Sequence, residues 1–490
     1  MNAPRATLIS LGARLAAAAA VVLGLVGSAP ALAQVEGWPQ FQGDAAHTGA
    51  ASATASPPYR QAWRFDEPGA GPAHALGLSA PVVAGSAIIA VAPRAVVAVD
   101  ASSGSQLWTV TRDFGPSVPP AVAASGKREL LLYTEGFGGH PPSVSPSATA
   151  SVSPSPSSVG RTIDSHLTAI DLATHRSAWK TPLQLHEVSR TGVTVDGDTA
   201  FVGDNRGNVY AVDVATGKLR WSAKTGGFLM NALAVANGLV VASVQGNRTT
   251  RAHLEAFKEA DGSRAWDTEV QGAAVLASSP AITDGRVLVG YSDQTIRSFG
   301  LSDGLEQWST RLNSPLFSLT APAVAGDALV IADLAGQVYR LDLRTGARVW
   351  DFALNEPVVR SPMLIAGDHA LVATARGTLA SFDMASGNLI WRNDATGSIL
   401  RSLTPTADAV VAVAGGPRPG LVAFENDPNG QLVSIVTPTK VDPVRFVGAY
   451  ALAAVPLALL LLFAGRPLRA RMGPAFLDEE DASEADEGSD

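Results

Sequence analysis

The sequence predicts an all-β fold closed as an eight-bladed β-propeller, and three observations predict it. A thirteen-residue phrase recurs eight times, its tryptophans stand about one blade apart, and helix-period apolar patterns are nearly absent between Trp38 and Pro438. From Trp179 onward the steps between tryptophans are 42, 45, 42, 42 and 41 residues, the length of four short strands and their turns.

The phrase is cleanest at Val338–Trp350, V-Y-R-L-D-L-R-T-G-A-R-V-W. Residues up to Asp342 alternate between the two faces of a strand. Asp342 is placed to accept backbone N–H groups two or three residues on, and Gly346 supplies the positive φ that a short hairpin loop needs. The closing tryptophan offers a large flat surface and one N–H donor, suited to packing between sheets. The other copies end at Trp108, Trp179, Trp221, Trp266, Trp308 and Trp391, and all seven tryptophans are expected to dock structurally. The eighth copy, Leu421–Val433, has Val433 where the others have Trp. A lone hairpin is marginal in water, so the repeat has meaning only as a ring.

Taken in order, Arg5 and Arg14 precede an apolar stretch from Leu15 to Val26, then small residues at Ala31 and Ala33; this reads as a secretory signal over 1–33. The propeller is expected over 38–437. Trp38–Gly49 opens it, and Tyr59–Phe65 resembles the outer strand of a blade whose other three strands are missing upstream. That strand is expected to complete the last blade, because an open ring leaves pairing edges exposed; the alternative is a last blade built wholly from the C-terminal segment. Three loops between second and third strands are enlarged, at 136–160 (rich in Ser and Pro, expected to be disordered or extended), 245–253 and 415–420. All three fall on one face of the disc, which makes that face the expected contact surface. Phe446–Gly465 is a charge-free run long enough to span a bilayer. Arg466, Arg469 and Arg471 follow it, and the positive-inside rule then puts the tail 466–490 in the cytoplasm and the propeller outside.

Composition removes several function classes. There is no cysteine, hence no disulfide, thiolate metal site, cysteine nucleophile or lipidated N-terminal cysteine. Residues 478–490 carry eight acids and no base; without them acids and bases balance at 36 each, with no basic run for nucleic acid. No catalytic motif and no metal-ligand spacing is present. Asp100, Asp171, Asp213, Asp342 and Asp383 stand at turn positions and read as turn caps. His74, His140, His166, His175, His186, His253 and His369 are scattered and read as surface or turn residues. Arg190, Arg360 and Arg401 stand just before innermost strands, near one mouth of the axial channel. There guanidinium groups can hold a polyanion; their plain reading is solvated or ion-paired rim arginines.

The repeat A-x-D-x-x-T-G-x-x-x-W around an eight-bladed disc resembles the tryptophan-docking repeat of the quinoprotein family, whose alcohol dehydrogenases bind pyrroloquinoline quinone (PQQ) with calcium. It is equally similar to the non-enzymatic, BamB-like branch of that superfamily, and Trp38–Gly49 resembles the opening such proteins share. The resemblance spans residues 38–437. The dehydrogenases place a vicinal cysteine pair against the quinone, which this chain lacks. The expectation is a non-catalytic, single-pass protein of the plasma membrane. Its extracytoplasmic propeller acts as an interaction or scaffold module for envelope proteins and has no cofactor. The alternative is a PQQ-binding oxidoreductase.

Overall fold

The computed structural model describes residues 37–51, 54–67, 77–136, 165–247, 249–272, 274–316, 320–393, 398–416, 418–433 and 435. The expected signal (1–33), membrane helix (446–465), cytoplasmic tail (466–490) and nearly all of the Ser/Pro insertion lie outside these residues. Among the described residues no helix is long and apolar enough to cross a membrane.

Those residues form eight sheets of the blade type, antiparallel except where Ala50–Ala51 pairs parallel with Ile365 and Ala366 of blade seven. Innermost strands of consecutive blades touch from blade one to blade seven, and blade eight packs against blade seven. The Thr404 hydroxyl of blade eight donates to the Pro81 carbonyl of blade one at 3.0 Å, which closes the circle. The core lies between blades. Val330, Val338 and Phe352 of blade six share one apolar cluster with Ile365, Ala370 and Phe382 of blade seven. Second and third strands are covered on both faces, so Ala328–Ala332 is buried throughout. The fourth strand at Arg348–Ala353 is the outer one, exposed or half-buried everywhere but at Phe352.

The phrase explains how blades lock. Asp342 Oδ1 accepts the backbone N–H and the hydroxyl of Thr345 at 2.8 and 2.6 Å. The Asp213–Thr216 and Asp383–Ser386 pairs repeat this geometry, and Asp100 and Asp171 likewise accept from residues two and three further on. Gly346 takes φ 71°, and its missing side chain leaves room for the Trp308 ring of the preceding blade. The Trp308 indole N–H then donates to the Leu343 carbonyl of the same turn at 3.1 Å. Trp63, Trp179, Trp221, Trp266 and Trp350 dock in the same way. Beside every docking tryptophan but Trp179 the fourth strand carries a one-residue bulge, as at Arg220 and Ala265, and the residue facing the indole is usually small, as in Ala211↔Trp221 and Ala256↔Trp266. The bulge twists the outer strand so that the indole reaches the next blade.

Blade eight takes its outer strand from the start of the chain. Tyr59–Asp66 pairs antiparallel with Gly420–Asn426, from Tyr59↔Asn426 to Asp66↔Gly420. The last three strands are Ile399–Pro405, Ala409–Gly415 and Gly420–Asn426, so the expected closure by both chain ends is the one observed.

The segment before that strand has a role that periodicity did not reveal. Gly37 and Trp38 pair with Ala84 and Val83 of blade one. The carbonyls of Pro39, Ala45, Ala46, Thr48 and Gly49 then accept, in turn, from Val122, Val235, Ile282, Val324 and Ile365, at 2.7 to 2.9 Å. These are the innermost strands of blades two, four, five, six and seven. Blade three is met by the Gln40 side chain, which accepts from Val195 N–H at 2.8 Å and donates to its carbonyl at 3.0 Å. Thr54 donates to Ala409 of blade eight. One short segment thus satisfies inward-facing backbone of blades one to seven and plugs the axial channel.

Candidate functional site

Above the plug, on the side of the blade-to-blade links, the channel narrows to a cavity of about 90 Å³. Its floor is Phe41, whose ring meets His47 edge-on at 5.2 Å. Its walls come from blades one, two, seven and eight and include Ser117, Arg360, Arg401 and Ser402. The structure therefore brings Arg360 and Arg401 to one cavity. Arg190, at the start of blade three, does not line it; that residue is half-buried and has a partner of its own.

Local backbone aims the two arginines. Arg360 takes a left-handed φ of 53° just before the Ser361-Pro362 entry to blade seven. Arg401 sits where the innermost strand of blade eight slips register between Arg401 and Leu403, with Ser402 at φ 44°. Its guanidinium lies along Gly415; a Cβ there would stand 2.8 Å from Nη2. Burial, and then the like charge of Arg360, push the Arg401 pKa down.

Nearby acids are already engaged. On the same side of the disc Glu135 holds His166 at 2.8 Å, and Asp204 accepts from the Tyr210 hydroxyl at 2.8 Å. Asp293 pairs with Arg297 at 2.7 Å. Asp333 accepts from Tyr339 at 2.9 Å, and Glu356 binds Thr374 and Arg392. Neither Arg360 nor Arg401 has a carboxylate partner among the described residues, while the Ser117 hydroxyl beside them is buried without one.

The residues present do not fit the quinone with calcium that the repeat's resemblance raises. Pockets for cofactor-sized ligands measure on the order of 300–1000 Å³, several times this cavity. The aspartates of the phrase are consumed by their turns, and no group of three or more His, Asp or Glu among the described residues is arranged to hold a metal ion. The histidines differ in part from expectation. His369 is buried, contacting Tyr59 Oη at 3.3 Å and Asp368 at 2.9 Å, and His47, which the sequence reading passed over, is fully buried at the plug. His74 and His140 lie outside the described residues.

Two blade junctions depart from the repeat: Trp391 meets the Tyr59 ring edge-on at 5.1 Å in place of a turn glycine, and the junction of blades one and two departs further. His175, at φ 55°, stands where most other blades have the turn glycine, and stacks on Trp108 with ring centroids 4.7 Å apart. The Trp108 indole makes no carbonyl bond of the kind seen at the six junctions above. The first hairpin of blade two also has five rungs, ending in Ala124↔Glu129 and Ser125↔Arg128, against four in blade three. Between hairpin and indole lies a groove of about 540 Å³.

Comparison with known proteins agrees with this geometry. The family model described as outer membrane protein assembly factor BamB matches residues 163–315 and 292–438, more than half of the chain. The outer membrane protein assembly factor BamB of Yersinia pestis is 30% identical over 134 residues, which is 25% of this chain and 33% of that protein, so only a third of that relative's length is matched. Among solved structures, BamB from Moraxella catarrhalis superposes with a TM-score of 0.53 at 16% identity, over 75% of this chain and 99% of that one. Quinohemoprotein alcohol dehydrogenase from Comamonas testosteroni gives 0.59 at 11% identity, over 85% and 84%. At such identities the two structures speak for the fold alone.

Proposed function

Because the chain belongs to the family of the outer membrane protein assembly factor BamB, we propose that it is a protein-interaction scaffold at the cell envelope. One observation carries this reading: the chain's own N-terminal segment plugs the axial channel, leaving about 90 Å³ above Phe41. A propeller enzyme needs a cofactor- or substrate-sized chamber there; a scaffold needs only its outer faces. The second-to-third loops at 245–253 and 415–420 enlarge the link side, which supports that face as the docking surface. The signal-like segment 1–33 and the charge-free run 446–465 support a single-pass anchor, with the propeller outside the plasma membrane and the tail inside.

The test is photo-crosslinking of the full chain in its native membrane, with probes in the 245–253 loop and, as control, at the opposite 3–4 turns. The reading expects an envelope protein captured from the link face alone. Calorimetry with PQQ and calcium runs beside it. Saturable one-to-one binding would overturn the scaffold reading in favour of the oxidoreductase.

A further inference from the structure

From the geometry of the channel mouth we infer that Arg360 and Arg401 form a binding site for one small oxyanion, a carboxylate or phosphate group. The site rests on its own geometry; that a partner's acidic side chain fills it rests on the scaffold reading above.

Two guanidinium groups line one closed-bottomed cavity, and no carboxylate among the described residues neutralises either. Arg401 is half-buried, held there by the strand bulge and by the absence of a side chain at Gly415. A long arginine ordinarily snorkels to water; this one is confined, and its nearest charge repels it. Such an arrangement is unfavourable empty and favourable with an anion, because paired guanidinium forks suit carboxylate and phosphate oxygens. The unpartnered Ser117 hydroxyl supplies a further donor. The volume, room for several waters, admits a single oxyanion and excludes a multi-ring ligand. The five acids named above are bonded elsewhere, which leaves the anion to come from outside that set.

The experiment measures the thermal midpoint of the full chain as chloride is replaced by phosphate or acetate at constant ionic strength. A ligand that binds only the folded state raises the midpoint with its concentration. A saturable rise in the wild type is expected. Arg360→Gln and Arg401→Gln should each weaken apparent affinity at least tenfold, while Arg360→Gln without anion is no less stable than wild type, since it relieves repulsion. Gly415→Ala should also weaken binding, although both charges remain. A midpoint that follows ionic strength alone, or a phosphate response that persists in the double Gln variant, would overturn the site. A parallel titration uses a blocked tri-glutamate peptide. Tighter binding than acetate identifies a protein carboxylate as the source, and equal or weaker binding identifies a free ion; either supports the site. If phosphate binding needs the arginines but partner capture survives Arg360→Gln, the link to the scaffold fails and the anion site stands.

Discussion

His47 is bonded through Nδ1 to the Pro280 carbonyl at 3.1 Å. A carbonyl only accepts, so Nδ1 carries the proton and Nε2 accepts from the Thr194 hydroxyl at 3.3 Å. One neutral imidazole thus ties the plug to blades three and five.

Acid should loosen that tie. Burial lowers the His47 pKa to about 4 from 6.5. The unfolded chain therefore binds a proton between those values that the folded chain refuses. Stability is full above about pH 6.5 and falls as pH drops toward 4, by on the order of 3 kcal/mol. His47→Gln should flatten this slope in denaturant unfolding followed from pH 7 to 4.5.

Asp333 works in the opposite sense. Burial pushes its pKa up to about 6, so the folded state holds the proton more tightly. Its contribution is complete below about 3.8 and is lost as pH rises through 6. Tyr339→Phe removes the hydroxyl that donates to Asp333 and accepts from Asn313 N–H. The expected loss is about 2 kcal/mol at neutral pH, with a steeper decline between pH 5 and 7, read from the same unfolding series.

The tryptophans should not cost alike. Trp221→Ala removes a buried ring, its bond to the Glu259 carbonyl at 2.7 Å and its packing under Gly262; about 3–5 kcal/mol is expected. Trp108 lines an open groove and makes no such bond, so Trp108→Ala should cost roughly half as much. His175→Gly should be near neutral, within about 1 kcal/mol, because relief of the left-handed φ offsets the lost ring stacking. Parallel urea titrations with unchanged m-values check all three.

Gln40→Leu keeps volume but strips two bonds from Val195. With its inward N–H and carbonyl left unpaired, about 2–3 kcal/mol should be lost. Limited proteolysis should then cleave first within 37–66, the segment whose anchorage to blade three is gone.

The ring was legible because its physics is periodic. Asp342, Gly346 and Trp350 recur at fixed offsets, and each offset has a local cause that a single chain displays. Closure by Tyr59–Asp66 was legible too, since an orphan outer strand and a last repeat without tryptophan point to each other. The plug was not. Gln40, His47 and the carbonyls from Pro39 to Gly49 act through partners 83 to 316 residues away, and nothing in their spacing announces it. Arg360 and Arg401 were legible as neighbours of innermost strands, but only the bulge at Arg401 and the empty space over Gly415 bring them to one cavity, and the same geometry leaves Arg190 outside it. The Trp108 junction was visible as T-H in place of T-G, a signal the repeat itself supplies once the glycine's role is known.

The strand at Tyr59–Asp66 leaves the ribosome early, yet its partner Gly420–Asn426 is among the last parts of the ring to be made. At about 5–20 residues per second, that strand waits tens of seconds for its place. Through that interval the nascent chain holds finished blades with an open edge at each end of the arc. Its synthesis is thus a race between late closure and misplaced pairing. A holdase that masks strand edges should matter more to the yield of this protein than to that of one whose ring closes within a single hairpin.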